Sequence, residues 1–138
     1  MEDTGKLAED SIQGGITRSF SGREQKLADY IKQTDDVDLE ALPEPHTAVR
    51  TPDAYYPRVG KVELKGLDPG GDSNTVRNAV NNSIKRGGQA RIIVIDARGS
   101  GLTLEEAERS LRRVAGIQQG RLDSLRIVGD GFDIKVDF

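Results

Sequence analysis

The stretch Ala90-Arg91-Ile92-Ile93-Val94-Ile95-Asp96-Ala97 decides the fold. From Ile92 to Ile95 the apolar run is unbroken, which suits a central strand covered on both faces rather than one with a wet side. The flanking segments supply helices. Upstream, Ser73 can cap a helix running to about Arg86, with Val76, Val80 and Ile84 as its apolar stripe and Gly87-Gly88 ending it. Downstream, Thr103-Leu104-Glu105-Glu106 has capping-box spacing and opens a helix to about Gly116, with Leu104, Ala107, Leu111 and Val114 inward. Leu125 to Val128 then turns through Gly129-Asp130-Gly131 into Phe132 to Phe138, whose strict alternation predicts a closing hairpin.

Towards the N-terminus, Lys61 to Leu67 reads as a strand, bounded by a turn at Pro57-Arg58-Val59-Gly60 and another at Asp68 to Asp72. Val49 to Tyr56 is extended, and Pro52 limits it to an irregular or edge strand. Thr34 to His46 is acidic, contains Pro43 and Pro45, and is expected to be a loop. Ser21-Gly22-Arg23-Glu24 is a second capping-box spacing, starting a helix over 22–33 with Leu27, Tyr30 and Ile31 on one face. Residues 1–20 are polar, carry Gly14-Gly15 and show no sustained period, so a linker or arm is expected there. The order α-β-β-α-β-α-β-β makes residues 21–138 a single α/β domain with a mixed sheet.

The 138 residues suffice for one domain of ordinary size. The absence of cysteine excludes disulfides and thiolate metal sites. The aromatic content of 4% argues against a surface built on stacking against bases. No apolar run is long enough to span a bilayer, and no signal peptide opens the sequence. The net charge of −3 divides unevenly: residues 1–72 carry −6, residues 73–126 carry +5 and the remainder −2. Arg77, Lys85 and Arg86, on the polar side of their helix, are candidates to track a phosphate backbone, although a solvated face explains them equally well. Arg109 and Arg112 follow Glu105 and Glu108 by four residues, so pairing along the helix accounts for them.

If residues 61–67 are a strand, Glu63 and Lys65 project on one side and Val62 and Leu64 on the other. If the preceding strand folds back about Arg58, Asp53 falls opposite Glu63. Two adjacent carboxylates repel unless a cation lies between them or one is protonated. Hard oxygen donors in that arrangement suit Mg²⁺, or Mn²⁺. Such an ion can hold a scissile phosphate and activate a bound water, with Lys65 offsetting charge in the transition state. On another reading, Asp53 is only a turn residue and Glu63 and Lys65 are cross-strand charges. His46, the only histidine, is a candidate for metal-free acid–base cleavage.

Pro52-Asp53 followed, after a nine-residue gap, by Glu63-Leu64-Lys65 resembles the PD-(D/E)xK (restriction-endonuclease-like) nuclease superfamily. More narrowly, Arg23-Glu24, Thr51-Pro52-Asp53-Ala54, Lys61 to Lys65, and Gln89-Ala90 before the Ile92–Asp96 strand make the chain similar to C-terminal tRNA nuclease toxin domains of contact-dependent growth inhibition (CdiA-type) and related polymorphic toxins. The resemblance implies a metal-dependent endonuclease with Asp53 and Glu63 as metal ligands and Lys65 as the catalytic cation. It also implies a supporting acidic role for Glu24, which the capping box explains on its own, and a place near the site for Gln89. It further implies a divalent metal (Mg²⁺ first, Mn²⁺ or Zn²⁺ next), tRNA or another nucleic acid as substrate, and a cognate immunity protein as partner. The domain would be secreted or delivered from the cell surface and act in the target-cell cytoplasm. A DNA endonuclease of the same fold and a non-catalytic α/β binding domain are the alternatives.

Overall fold

The computed structural model describes residues 20–42, 54–85 and 90–138. Residues 1–19 of the expected arm, most of the extended segment before Ala54, and Asp53, His46, Arg86 and Gln89 lie outside the described residues.

Two-sided burial of the Ile92–Asp96 strand organises the molecule. Ile93 and Ile95 point to one face and Val94 to the other, and all three are buried. The elements in chain order are α1 (Gly22–Asp35), β1 (Glu40–Ala41), β2 (Ala54–Tyr56), β3 (Gly60–Gly66), α2 (Ser73–Lys85), β4 (Ile92–Asp96), α3 (Leu104–Ile117), β5 (Ser124–Gly129) and β6 (Phe132–Asp137). They form one six-stranded sheet in the order β1 to β6. β3, β4 and β5 are parallel, while β1, β2 and β6 run antiparallel to their neighbours. The crossovers α2 and α3 cover one face, packing Val76, Val80, Ala107 and Val114 against Ile93, Ile95, Leu125 and Ile127. α1 covers the other, with Leu27, Ala28 and Ile31 against Val62, Leu64, Val94 and Val128. Each fully buried aliphatic side chain contributes about 1.5–3 kcal/mol to folding. Among the described residues, no helix is long and apolar enough to cross a membrane.

Four features depart from the expectations. β1 forms within the segment read as a loop: Glu40 pairs with Tyr55 and Ala41 with Ala54. Two residues are too few to carry a period, so only the partner strand makes them a strand. Leu104, expected inward, is 45% exposed, and Ser110 is buried on α3 beside Ala107 and Val114. The box at Thr103 is half formed. Thr103 Oγ1 accepts from Glu106 N–H at 3.1 Å, but the Glu106 carboxylate turns away to accept from Ser73 N–H at 3.1 Å. The Glu106 carboxylate of α3 thus joins Asp72 at the start of α2, where Asp72, rather than Ser73, caps the helix by accepting from Thr75 N–H at 3.0 Å. The ion pair of Arg109 runs to Glu106 at 2.8 Å, three residues back rather than four.

A charged cluster fastens α1 to the sheet. On the α1 face of β5, Arg126 donates to Asp35 at 2.8 Å and to both carboxylate oxygens of Asp133 at 2.9 and 2.7 Å. Tyr30 and Tyr56 hydroxyls donate to Asp133 and Asp35 at 2.8 and 2.7 Å. The Arg126 hydrogen bonds hold the Asp133 carboxyl below the usual carboxylate range. Burial pushes Asp35 up, but hydrogen bonds from Arg126, Tyr56 and Thr34 outweigh it and leave that carboxyl lowered too.

Arg126→Met leaves two partly buried carboxylates without their cation and is expected to cost about 2–3 kcal/mol, below the figure for a fully buried pair. Both aspartates titrate below their unfolded value of about 3.9. Their contribution is therefore intact above that value and is lost as pH falls through the lowered folded pKa. Urea unfolding between pH 6 and 2 (about that span) should show a fall in parent stability at the acid end that is shallower in Arg126→Met. Parallel profiles would refute the assignment.

Candidate active site

β3 places Glu63 and Lys65 on the same side by simple alternation, facing α2, in register with Ile93 and Ile95 of β4. Glu63 is 2% exposed. A bare carboxylate in such a place is costly, and among the described residues Ser83 and Lys65 relieve it. Ser83 Oγ of α2 donates to Glu63 Oε1 at 2.5 Å. Lys65 Nζ pairs with Glu63 Oε2 at 2.9 Å, and the Lys65 side chain is 24% exposed. The lysine thus spans from a buried carboxylate to the surface, and its ammonium group is held rather than loose.

Glu24 stands in the first turn of α1. Ser21 N–H donates to its Oε1 at 3.1 Å, and Glu24 N–H donates to Ser21 Oγ at 3.4 Å, completing the capping box. The same residue reaches the lysine's neighbourhood. A cavity of about 180 Å³ is lined by Ser21, Arg23, Glu24, Leu27, Leu64, Lys65, Gly66 and Asp96. Glu24 and Lys65 both line this cavity on the α1 side, whereas the Lys65 ammonium is paired on the α2 side of the sheet with Glu63, which is not among the described residues lining it. Asp53 is outside the described residues. Its neighbour Ala54 pairs with Val62, the residue before Glu63.

Among the described residues, no group of three His, Cys, Asp or Glu side chains is arranged to hold a metal. Mg²⁺ is commonly held by one or two carboxylates, with water and phosphate completing its shell. Glu63 and Asp53 are the sequence's candidates for such carboxylates; here the two Glu63 oxygens are held by Ser83 and Lys65, and Asp53 lies outside the described residues. Zn²⁺ favours nitrogen and sulfur donors. The chain has no cysteine, and its one histidine, His46, is outside the described residues.

The expected phosphate-tracking residues stand elsewhere. α2 lies on the sheet face opposite α1, so Arg77 and Lys85, on the same side of the sheet as the Glu63–Lys65 pair, are across the sheet from the α1-facing cavity. Arg77 Nη2 donates to Asn78 Oδ1 at 3.0 Å, and its Nε is buried without a hydrogen-bond partner among the described residues. Lys85 is exposed, and Arg86 and Gln89 are outside the described residues.

Sequence reasoning missed Ser83, Asp96 and Arg98. Ser83 sits seven residues after Val76 and three after Val80, on the inward stripe of α2, and a small polar residue there was the available signal. Asp96 ends the apolar run at the C-terminal end of a parallel strand, where open α/β sheets place ligands. Burial pushes its carboxyl up, but hydrogen bonds from Arg98 outweigh that and keep it lowered.

The same arrangement of strands and helices has been seen before. The chain shares its fold with part of a toxin and immunity complex. The solved structure is the CdiA-CT/CdiI toxin and immunity complex from Burkholderia pseudomallei, one chain of which superposes with a TM-score of 0.59 at 12% sequence identity. The match covers 91% of this chain and 98% of that one. At such identity the likeness is one of fold. No protein-family model matches the chain, and neither does any curated protein.

The pairing of Glu63 with Lys65 makes a stability prediction that is independent of activity. Lys65→Ala strands a buried carboxylate and should cost about 2 kcal/mol, more than a typical surface change. Adding Glu63→Gln should recover much of that loss. A double-mutant cycle by thermal and urea unfolding checks it, and a double variant no more stable than Lys65→Ala would refute the coupling.

Proposed function

We propose that the chain is a metal-dependent endonuclease toxin of interbacterial competition, hydrolysing phosphodiester bonds in RNA, with tRNA as the leading substrate. The supporting observation is a lysine held by a buried glutamate near the C-terminal end of β3, in a fold found in a toxin and immunity complex. The Pro52-Asp53 and Glu63-Leu64-Lys65 pattern adds the PD-(D/E)xK reading.

Asp53 and Glu63 would hold the ion. When bound, a cation of this type offsets phosphate charge and lowers the pKa of water. The protein's own part is positioning. Ser83 fixes the Glu63 carboxylate from the α2 side, and Glu63 in turn fixes the Lys65 ammonium at its second oxygen. A cation held this way adds charge stabilisation at a phosphate without having to reorganise during reaction. Glu24, oriented by its capping box, adds a carboxylate at the α1-side cavity that Lys65 also lines. A cognate immunity protein would neutralise the domain in the producing cell, with the acidic N-terminal half as its docking surface. The toxin would be delivered to, and act in, the cytoplasm of a target cell.

The test is incubation of purified protein with total RNA and, separately, with plasmid, in Mg²⁺, Mn²⁺ or Zn²⁺ and with EDTA. Discrete tRNA fragments are expected in Mg²⁺ or Mn²⁺ and should vanish with EDTA. Lys65→Ala, assayed below its melting temperature, should lower the cleavage rate by roughly 10²–10³-fold. Cutting of plasmid alone would replace RNA by DNA as the substrate. EDTA-resistant RNA cleavage would shift the chemistry to His46, and a harmless domain that cuts neither would leave a binding module.

A further inference from the structure

A second, larger cleft of about 580 Å³ opens beside the cavity of Lys65, and the two share Arg23 and Asp96 as walls. One side of it is a polar stripe of α1 formed by Arg23, Lys26, Tyr30 and Gln33, spaced three or four residues apart. At 1.5 Å per residue the stripe extends roughly 15 Å along the helix. The other side is the C-terminal end of β4 with Asp96 and Arg98.

Arg98 is unusually well fixed for a residue at a cleft. Its Nε and Nη2 donate to the two oxygens of Asp96 at 2.8 and 2.9 Å. Its guanidinium lies over the Tyr30 ring, 5.0 Å from the centroid. The Tyr30 hydroxyl is itself anchored to Asp133 at 2.8 Å. The result is a flat cation backed by an aromatic ring, with 30% of its side chain still exposed at the cleft that it lines. Unpaired bases stack on such guanidinium planes, whereas a paired base inside a duplex offers no free face. A tie serving only to lock α1 to β4 would not need to border an open cleft that shares Arg23 and Asp96 with the cavity of Glu24.

The charges in the cleft point the same way. Asp96 balances Arg98, and Arg23 is engaged by Asp68 at 3.0 Å on the exposed side. Asp29 adds a carboxylate and accepts from Gln25 at 2.8 Å. That near-balance is ill suited to tracking many phosphates, as a duplex requires. It suits one nucleotide, with Lys26 exposed on the stripe for a phosphate and Gln33 and Asp29 as donor and acceptors for a base edge.

We propose that this cleft binds an unpaired nucleotide adjoining the cleaved bond, its base stacked on the Arg98–Tyr30 plane and its phosphate at Lys26. The proposal rests on the nuclease reading above and assigns substrate contacts to α1 rather than to the α2 residues Arg77 and Lys85.

The experiment measures binding of fluorescein-labelled single-stranded RNA, and of the same RNA as a duplex, to the full chain in EDTA, with cleavage in Mg²⁺ followed in parallel. Arg98→Lys keeps the charge and loses the plane. It should weaken single-strand binding roughly tenfold, as for one lost stack, and leave duplex binding unchanged. Lys26→Ala should weaken it severalfold and reduce the salt slope by about one. In cleavage, both should raise KM with kcat changed little. Single-strand binding untouched by both substitutions, or no RNA binding at all, would overturn the proposal, as would equal weakening of duplex binding. If Arg98→Lys melts early, the exposed Lys26→Ala decides alone. A parent that cleaves RNA while neither substitution matters sinks the cleft and spares the nuclease reading. A parent that cleaves nothing yet loses single-strand binding in the variants sinks the nuclease reading and spares the cleft.

Discussion

The central strand has apolar side chains on both sides, and the rest of the structure answers to that constraint. With Ile93 and Ile95 buried on one face and Val94 on the other, the sheet is unstable until helices cover both. The crossovers between parallel strands supply α2 and α3 for the first face. The second can be covered only by an element from outside the parallel unit, and α1 does so by laying Leu27 and Ile31 over Val62, Leu64, Val94 and Val128. Once α1 lies there, its N-terminal turn is bound to meet the C-terminal ends of β3 and β4. That meeting forms the cavity of Glu24 and Lys65 and the cleft beyond it. Gly66 belongs to the same fit, because a Cβ at that position would overlap the Arg23 guanidinium lying across it.

Charged groups are withdrawn from solvent around Arg126 and around Glu63, with different consequences. Around Arg126 the charges are numerous and mutually satisfied, and they fasten α1 to β2, β5 and β6 by hydrogen bonds from several directions. Around Glu63 the opposite holds. One carboxylate is set into an otherwise apolar face, with Ser83 and Lys65 among the residues that satisfy it. A hydrophobic residue would serve stability at least as well in such a position, since desolvation offsets most of the gain from a buried ion pair. Retaining a glutamate there makes sense for chemistry, which needs a charge whose position is settled before substrate arrives.

Most of the elements were legible because they repeat a period over many residues. The stripe Val76, Val80 and Ile84, the run Ile92 to Ile95 and the alternation of Phe132 to Asp137 each carry their own signal, and each became the expected element. β1 carried none, being two residues long. Leu104 was misplaced because a first-turn residue meets the core only if the helix axis allows it. Glu106 was misassigned because its better partner, Ser73 N–H, is thirty-three residues away in sequence.

The sequence by itself determined the alternation that sends Glu63 and Lys65 to one side and Val62 and Leu64 to the other, the cap at Ser21, and the central position of Ile92–Asp96. These follow from local geometry, in which each residue's direction depends only on its neighbours along the chain. Tertiary structure alone decided that Ser83 would meet Glu63, that Arg98 would lie flat between Asp96 and Tyr30, and that Arg126 would join α1 to the sheet. Those contacts bring together residues from separate elements. Their existence depends on how α1 and α2 seat on opposite faces of the sheet, and no local period encodes that seating.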